Sequence, residues 1–190
     1  MLLSQDIEET VKEVFCLYEN YGDLDYIGEP VSQIEHMSQA ATFAQREGFD
    51  DEVILAAFFH DIGHLCTNTT SMGGAGNVNH EQLGANYLLQ RGFSKRIAAF
   101  VEGHVLAKRY LTYKNPHYYQ QLSAASKTTL KFQGGPMASD EATPFEQNPD
   151  FEILIKMRYW DDIAKETNIP INNLSYLKKL ATNHLVARKF

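Results

Sequence analysis

Cysteine is nearly absent from this chain: its 190 residues hold two, Cys16 and Cys66, too few for a disulfide framework. Long apolar runs are missing as well. The longest uncharged one, Val53 to Phe59, spans seven residues and is too short to cross a bilayer. No N-terminal stretch combines a basic flank, an apolar centre and a cleavage pattern, so a cytoplasmic location is expected. The chain has no lysine or arginine run, and its formal net charge of −7 argues against a nucleic-acid surface and in favour of a small-molecule ligand. Strand-like alternation of useful length is lacking too. With 44% hydrophobic residues the chain can bury a core, and a single all-α domain over residues 1–190, with no obligate protein partner, is the expectation.

What is present is helical spacing nearly throughout. A first helix is predicted over Ile7 to Tyr21, followed by a loop over residues 22–30 whose glycines and proline leave it room to move. The second helix begins after Pro30 and ends near Gly48, with Ile34, Met37, Ala41 and Ala44 on one stripe and His36 beside it. Asp50 is placed to cap the third, which runs to His60-Asp61. Residues 67–78 read as a polar, glycine-rich loop. Asn79 with Gln82 then resembles a capping box that would put His80 at the first helical position of a segment ending at Gly92. Ser94 caps the next helix, on which Ile97, Val101 and His104 share a face and Lys108 lies one turn further on. A single helix containing Leu122 and Ser126 is expected after Pro116, then a loop from Gln133 to Met137. Pro144 and Pro149 precede a helix that puts Arg158 and Asp161 on one face.

The chemistry centres on His60-Asp61, at the close of the apolar third helix. Neighbouring helical residues point about 100° apart, so the pair can converge only at a helix end, and Ile62-Gly63 offers one. Around it stand His36, His80, His104 and Asp161, giving four imidazoles and two carboxylates. Six ligands exceed one ordinary zinc site, and a mixed histidine and carboxylate set that leaves positions open suits iron or manganese. Asp61 could bridge two ions. Any one of these histidines taken alone would more readily be a core or surface residue; it is the joint pattern that points to a metal.

Two cations form a second feature, since Lys108 lies one turn beyond His104 and Arg158 one turn before Asp161. In an acidic protein, two such groups beside a metal pair make a site for a tetrahedral oxyanion. Ser126 and the amides around Gln133 to Gly135 could complete its shell. The alternative is that Lys108 and Arg158 are solvated, as most such residues are.

These residues resemble the HD-domain superfamily, and within it the mixed-valent di-iron oxygenases, most closely the organophosphonate oxygenases of the PhnZ type. The resemblance is carried by the ligand order His36, His60-Asp61, His80, His104, Asp161. Four segments add to it: Asp-Tyr-Ile-Gly-Glu (25 to 29), His-Asp-Ile-Gly-His (60 to 64), Glu-Gly-His-Val (102 to 105) with Ala-Lys-Arg-Tyr after it, and Gln-Gly-Gly-Pro-Met (133 to 137). It implies a helical bundle around two irons, one held by His36, His60, Asp61 and Asp161 and the other by Asp61, His80 and His104. Dioxygen is the implied co-substrate. The implied reaction cleaves the carbon–phosphorus bond of 2-amino-1-hydroxyethylphosphonate to glycine and phosphate. Lys108, Ser126, Gln133 and Arg158 would grip the phosphonate, and His64 could line the pocket. Tyr26 and Glu29 would form a lid pair within residues 22–30, the tyrosine plugging an iron position and the glutamate meeting the substrate's ammonium.

Two alternatives stay open on the same residues. The substrate nitrogen could carry three methyl groups, giving glycine betaine instead of glycine. The metals could instead activate a water for phosphoester hydrolysis, as in much of the wider superfamily. A ligand sensor would be expected to show broken ligands or an attached effector domain. His117 and His184 lie outside every matched segment and are expected at the surface.

Overall fold

The computed structural model describes residues 2–26, 28–66 and 79–188. Among these the chain is all-α: α1 (Leu2–Tyr21), α2 (Gln33–Arg46), α3 (Asp51–Phe59), a 3-10 turn (Ile62–His64), α4 (His80–Gln90), α5 (Lys95–Lys114), α6 (Pro116–Gln121), α7 (Ala124–Phe132), α8 (Ser139–Glu146), α9 (Phe151–Ile163) and α10 (Leu174–Arg188). The 67–78 loop read from the sequence lies outside the described residues, as does Ile27. No helix among the described residues is long and apolar enough to cross a membrane.

α3 is the centre. Every residue from Val53 to Phe59 is at most 3% exposed, which is why this helix is apolar all round instead of striped. α2, α5, α9 and α10 pack against it, while α4 runs along α5 and α1 along α10. The expected caps at Asp50 and Ser94 are present: Asp50 accepts from the amides of Glu52 and Val53, and Ser94 from that of Ile97. Each such cap is worth about 1 kcal/mol. Ser32 adds a full capping box with Glu35 at the start of α2, which fixes the register of His36 one turn in.

Three expectations change. Asn79 makes no side-chain cap; its backbone is left-handed (φ 55°), a conformation asparagine tolerates, and its carbonyl accepts from the amide of Leu83 at 3.0 Å. The single helix expected after Pro116 is two, because Leu122 leaves the helical region and Ser123 caps a new helix by accepting from the amide of Ser126. Pro144 lies inside α8, which the sequence reading passes over together with α10. His117 is exposed as expected, whereas His184 is half-buried, stacked on Phe93 at 5.7 Å and accepting from the amide of Ser94.

Candidate metal centre and substrate cavity

Five elements deliver the six candidate ligands to one place. α2 carries His36, the end of α3 carries His60 and Asp61, α4 opens with His80, and α5 and α9 present His104 and Asp161. None of the six is more than 3% exposed, so none of them is a surface residue. Past Phe59 the chain tightens into the 3-10 turn, and Asp61 (φ −105°, ψ 12°) leaves helical geometry. That break lets adjacent side chains converge, as the His60-Asp61 spacing required.

The two oxygens of Asp61 face different histidines. Oδ2 lies 3.4 Å from Nε2 of His60 and 3.8 Å from Nε2 of His36, whereas Oδ1 lies 3.2 Å from Nε2 of His80 and 3.4 Å from Nε2 of His104. Asp161 Oδ1 joins the first group, 3.4 Å from Nε2 of His36. His36, His60 and Asp161 thus form one cluster able to hold a metal ion, and Asp61, His64 and His80 form another. His104 belongs beside the second by its 3.2 Å approach to His80. His64 stacks on His80 at 3.9 Å and reaches Asp61 Oδ1 at 4.0 Å, more remote than either.

The hydrogen bonds behind the rings show that this donor set fits a cation. Nδ1 of His36 lies 2.9 Å from the carbonyl of Ala164, Nδ1 of His60 2.8 Å from that of Ala57, and Nδ1 of His104 2.6 Å from that of Val101. A carbonyl only accepts, so each Nδ1 carries the proton and each neutral Nε2 turns a lone pair inward. Yet Nε2 of His36 and His60 are 3.0 Å apart, and those of His80 and His104 3.2 Å. His80, whose Nδ1 has no hydrogen-bond partner among the described residues, can carry its proton on Nε2 and donate it to His104, but the facing lone pairs of His36 and His60 need a positive charge between them. In the polypeptide alone a proton supplies it: burial works against ionisation of His60, but Asp61 and Asp161 outweigh it and push its pKa up to about 9. Asp61 itself is held well below the usual carboxylate range, burial being overcome by His60, His104 and His80. Asp161 Oδ1 is buried without a hydrogen-bond donor among the described residues.

Beside the ligands lies a cavity of about 490 Å³ including its mouth, lined by every residue expected to meet substrate: Tyr26, Glu29, His64, Lys108, Ser126, Gln133 and Arg158. The two cations in it differ. Arg158 bonds Asp161, Asp162 and the hydroxyl of Tyr118, so two carboxylates already balance its charge. Lys108, 4% exposed, donates to Thr129 Oγ1 at 2.9 Å and forms no ion pair among the described residues. Burial, then Arg158, depresses its pKa to about 7. Lys108 is therefore the cation with charge to offer an anion.

Two of the amides expected around Gln133 to Gly135 are already engaged. The Gln133 amide donates to Thr129 and the Gly135 amide to Leu130, a helix-ending motif that needs the left-handed Gly134 (φ 95°) between them. Only the Gln133 side chain reaches the cavity, and its buried Oε1 lacks a donor among the described residues.

Tyr26 lies flat on His36, ring centroids 4.0 Å apart, and burial followed by Asp61 and Asp161 raises its phenol well above the usual range. Its loop is tied at the base, with the Tyr26 amide donating to Val31 and that of Ile34 to Gly22. Glu29 accepts from Ser123 Oγ at 2.6 Å and Lys165 Nζ at 2.7 Å. The sequence reading misses Lys165, Thr129 and Gln33. Gln33, buried three residues before His36, lines the cavity with Oε1 lacking a donor among the described residues, and its shared face with His36 was the available signal. Lys165 lies beyond the end of α9, where helical spacing says nothing.

The family model for the HD domain matches residues 33–130, the stretch that carries five of the six ligands. This chain belongs to the HD-domain family. The chain is 42% identical over 184 residues to uncharacterized protein L432 of Acanthamoeba polyphaga mimivirus, covering 95% of this chain and 84% of that one. It is 41% identical over 155 residues to the [1-hydroxy-2-(trimethylamino)ethyl]phosphonate dioxygenase (glycine-betaine-forming) of Leisingera caerulea, covering 80% and 79%. The hydroxymethylphosphonate dioxygenase of Gimesia maris is 37% identical over 175 residues, covering 90% and 86%.

Proposed function

We propose that this HD-domain protein is a di-iron oxygenase that cleaves the carbon–phosphorus bond of a short 1-hydroxyphosphonate. The carrying observation is Asp61, with one oxygen toward each group of imidazoles, beside a cavity that holds a buried and unbalanced Lys108. His36, His60, Asp61 and Asp161 would hold one iron, and Asp61, His80 and His104 the other. The irons and dioxygen supply the oxidation. Lys108 binds the phosphonate; Ser126 and the Gln133 side chain orient it; Arg158 holds Asp161 and lends its remaining N–H groups. Tyr26 and its loop cover the cavity and exclude water. With 2-amino-1-hydroxyethylphosphonate as the substrate, one dioxygen gives glycine and phosphate with all atoms accounted for.

The test is phosphate and glycine release from (R)-2-amino-1-hydroxyethylphosphonate by the iron-loaded protein, with and without oxygen, beside a panel of phosphomonoesters and phosphodiesters. Equal amounts of both products, formed only with oxygen, are expected. Oxygen-independent hydrolysis of the panel without phosphonate turnover would make this a phosphohydrolase.

Lys108 adds a pH dependence. Below its pKa of about 7 the group is cationic and binding is at full strength. Above it the amine must take up a proton to meet the anion, so affinity falls by up to about tenfold per pH unit. Lys108→Arg stays charged throughout and should lose this slope in anaerobic calorimetry. The same slope in both proteins would return the effect to ionisation of the phosphonate.

A further inference from the structure

Lys165 lies on a turn that α2 holds from two sides. The carbonyl of Ala164 accepts from His36, and Gln39 brackets Glu166, its amide donating to the Glu166 carbonyl at 2.9 Å and its oxygen accepting from the Glu166 amide at 3.1 Å. From this anchored position Nζ of Lys165 meets Glu29 Oε1 at 2.7 Å, with the side chains only 15% and 9% exposed, and lies 6.0 Å from the centre of the Tyr26 ring. Glu29 lines the cavity that Lys108 also lines, and it is the carboxylate there that a cationic substrate tail would seek. Lys165 already neutralises it. A second cation brought to Glu29 would meet a spent carboxylate and a like charge, in surroundings too dry to screen either.

We infer that Lys165 determines specificity for the tail of the substrate: as the resident counter-ion of Glu29 it penalises a cationic tail and leaves a 1-hydroxyphosphonate without one unaffected. The inference rests on the phosphonate reading above. Two relatives differ, by their names, in this respect, one dioxygenase acting on a trimethylamino compound and the other on hydroxymethylphosphonate. A group that sets the charge seen by the tail is the simplest way to move between such substrates on one scaffold.

The test is anaerobic titration calorimetry of the iron-loaded protein with two ligands, (R)-2-amino-1-hydroxyethylphosphonate and hydroxymethylphosphonate. In Lys165→Met, affinity for the amino compound relative to hydroxymethylphosphonate is expected to rise by about tenfold or more. Lys165→Gln, which keeps a hydrogen bond to Glu29 but no charge, should do the same and serves if the methionine variant does not fold. Lys165→Arg should keep the wild-type ratio. Both ligands binding with an unchanged ratio in the uncharged variants would overturn the role of Lys165 alone. Wild-type protein binding neither ligand would overturn the phosphonate reading, and this inference with it.

Discussion

Asp61→Asn is expected to strip both metal positions at once. Asparagine preserves the shape of the side chain, but it replaces an anion by an amide whose N–H groups would point at one pair of imidazole nitrogens. In the native geometry Oδ2 serves His60 and His36 at 3.4 and 3.8 Å, and Oδ1 serves His80 and His104 at 3.2 and 3.4 Å. No other side chain among the described residues faces both groups this closely. Iron measured by elemental analysis should fall from two per chain to well under one, and oxygen-dependent turnover by roughly a thousandfold or more. His104→Ala provides the contrast: it removes a ligand from one group only and should retain up to one iron without turnover. Two irons and full activity in Asp61→Asn would refute the bridging role.

Arg158→Met should cost stability first and affinity second. The guanidinium is 2% exposed and answers Asp161, Asp162 and Tyr118 together. Without it two carboxylates at this end of α9 lose their counter-charge; removing one partner of such a buried arrangement costs about 3–5 kcal/mol. For a chain of this length that corresponds to a drop in melting temperature of roughly 10 °C, read by calorimetry on metal-free protein. Phosphonate affinity should suffer less than in Lys108→Ala, because the charge of Arg158 is already committed. A change in melting temperature below about 2 °C would show that the carboxylates find other partners.

Much of the site was legible because its residues obey local rules. His36, His104 and Asp161 lie at helical positions where spacing predicts their face, and the caps at Asp50 and Ser94 set the register of the helices that carry His60 and His104. Lys108 follows from His104 by one turn. Illegible were features set by contacts across the chain. That Arg158 also donates to Tyr118, 40 residues away, is such a feature, whereas its carboxylate partners Asp161 and Asp162 stand at the readable i+3 and i+4 positions. That Glu29 is already paired depends on Lys165, 136 residues away and beyond the last turn of its helix. The break at Leu122 turns on a serine cap hidden among four consecutive small residues, Ser123 to Ser126. α10 has a readable stripe at Leu177, Leu180, Ala181 and Leu185, but carries no ligand, so a reading led by ligands passes over it.

Gly63 fixes one backbone distance in the candidate metal centre. A methyl group at this position would lie 1.9 Å from the carbonyl oxygen of His80 and 3.0 Å from the amide nitrogen of Gly84, so the 3-10 turn and the first turn of α4 touch main chain to main chain. Asp61 lies two residues before that contact and His80 is part of it. The backbone separation between the Asp61 turn and the start of α4 is thus set by main chain against main chain, which leaves the side-chain rotamers of Asp61 and His80 as the adjustable part of the span. A metal of different size could be met here by turning side chains, but not by drawing these two segments closer together.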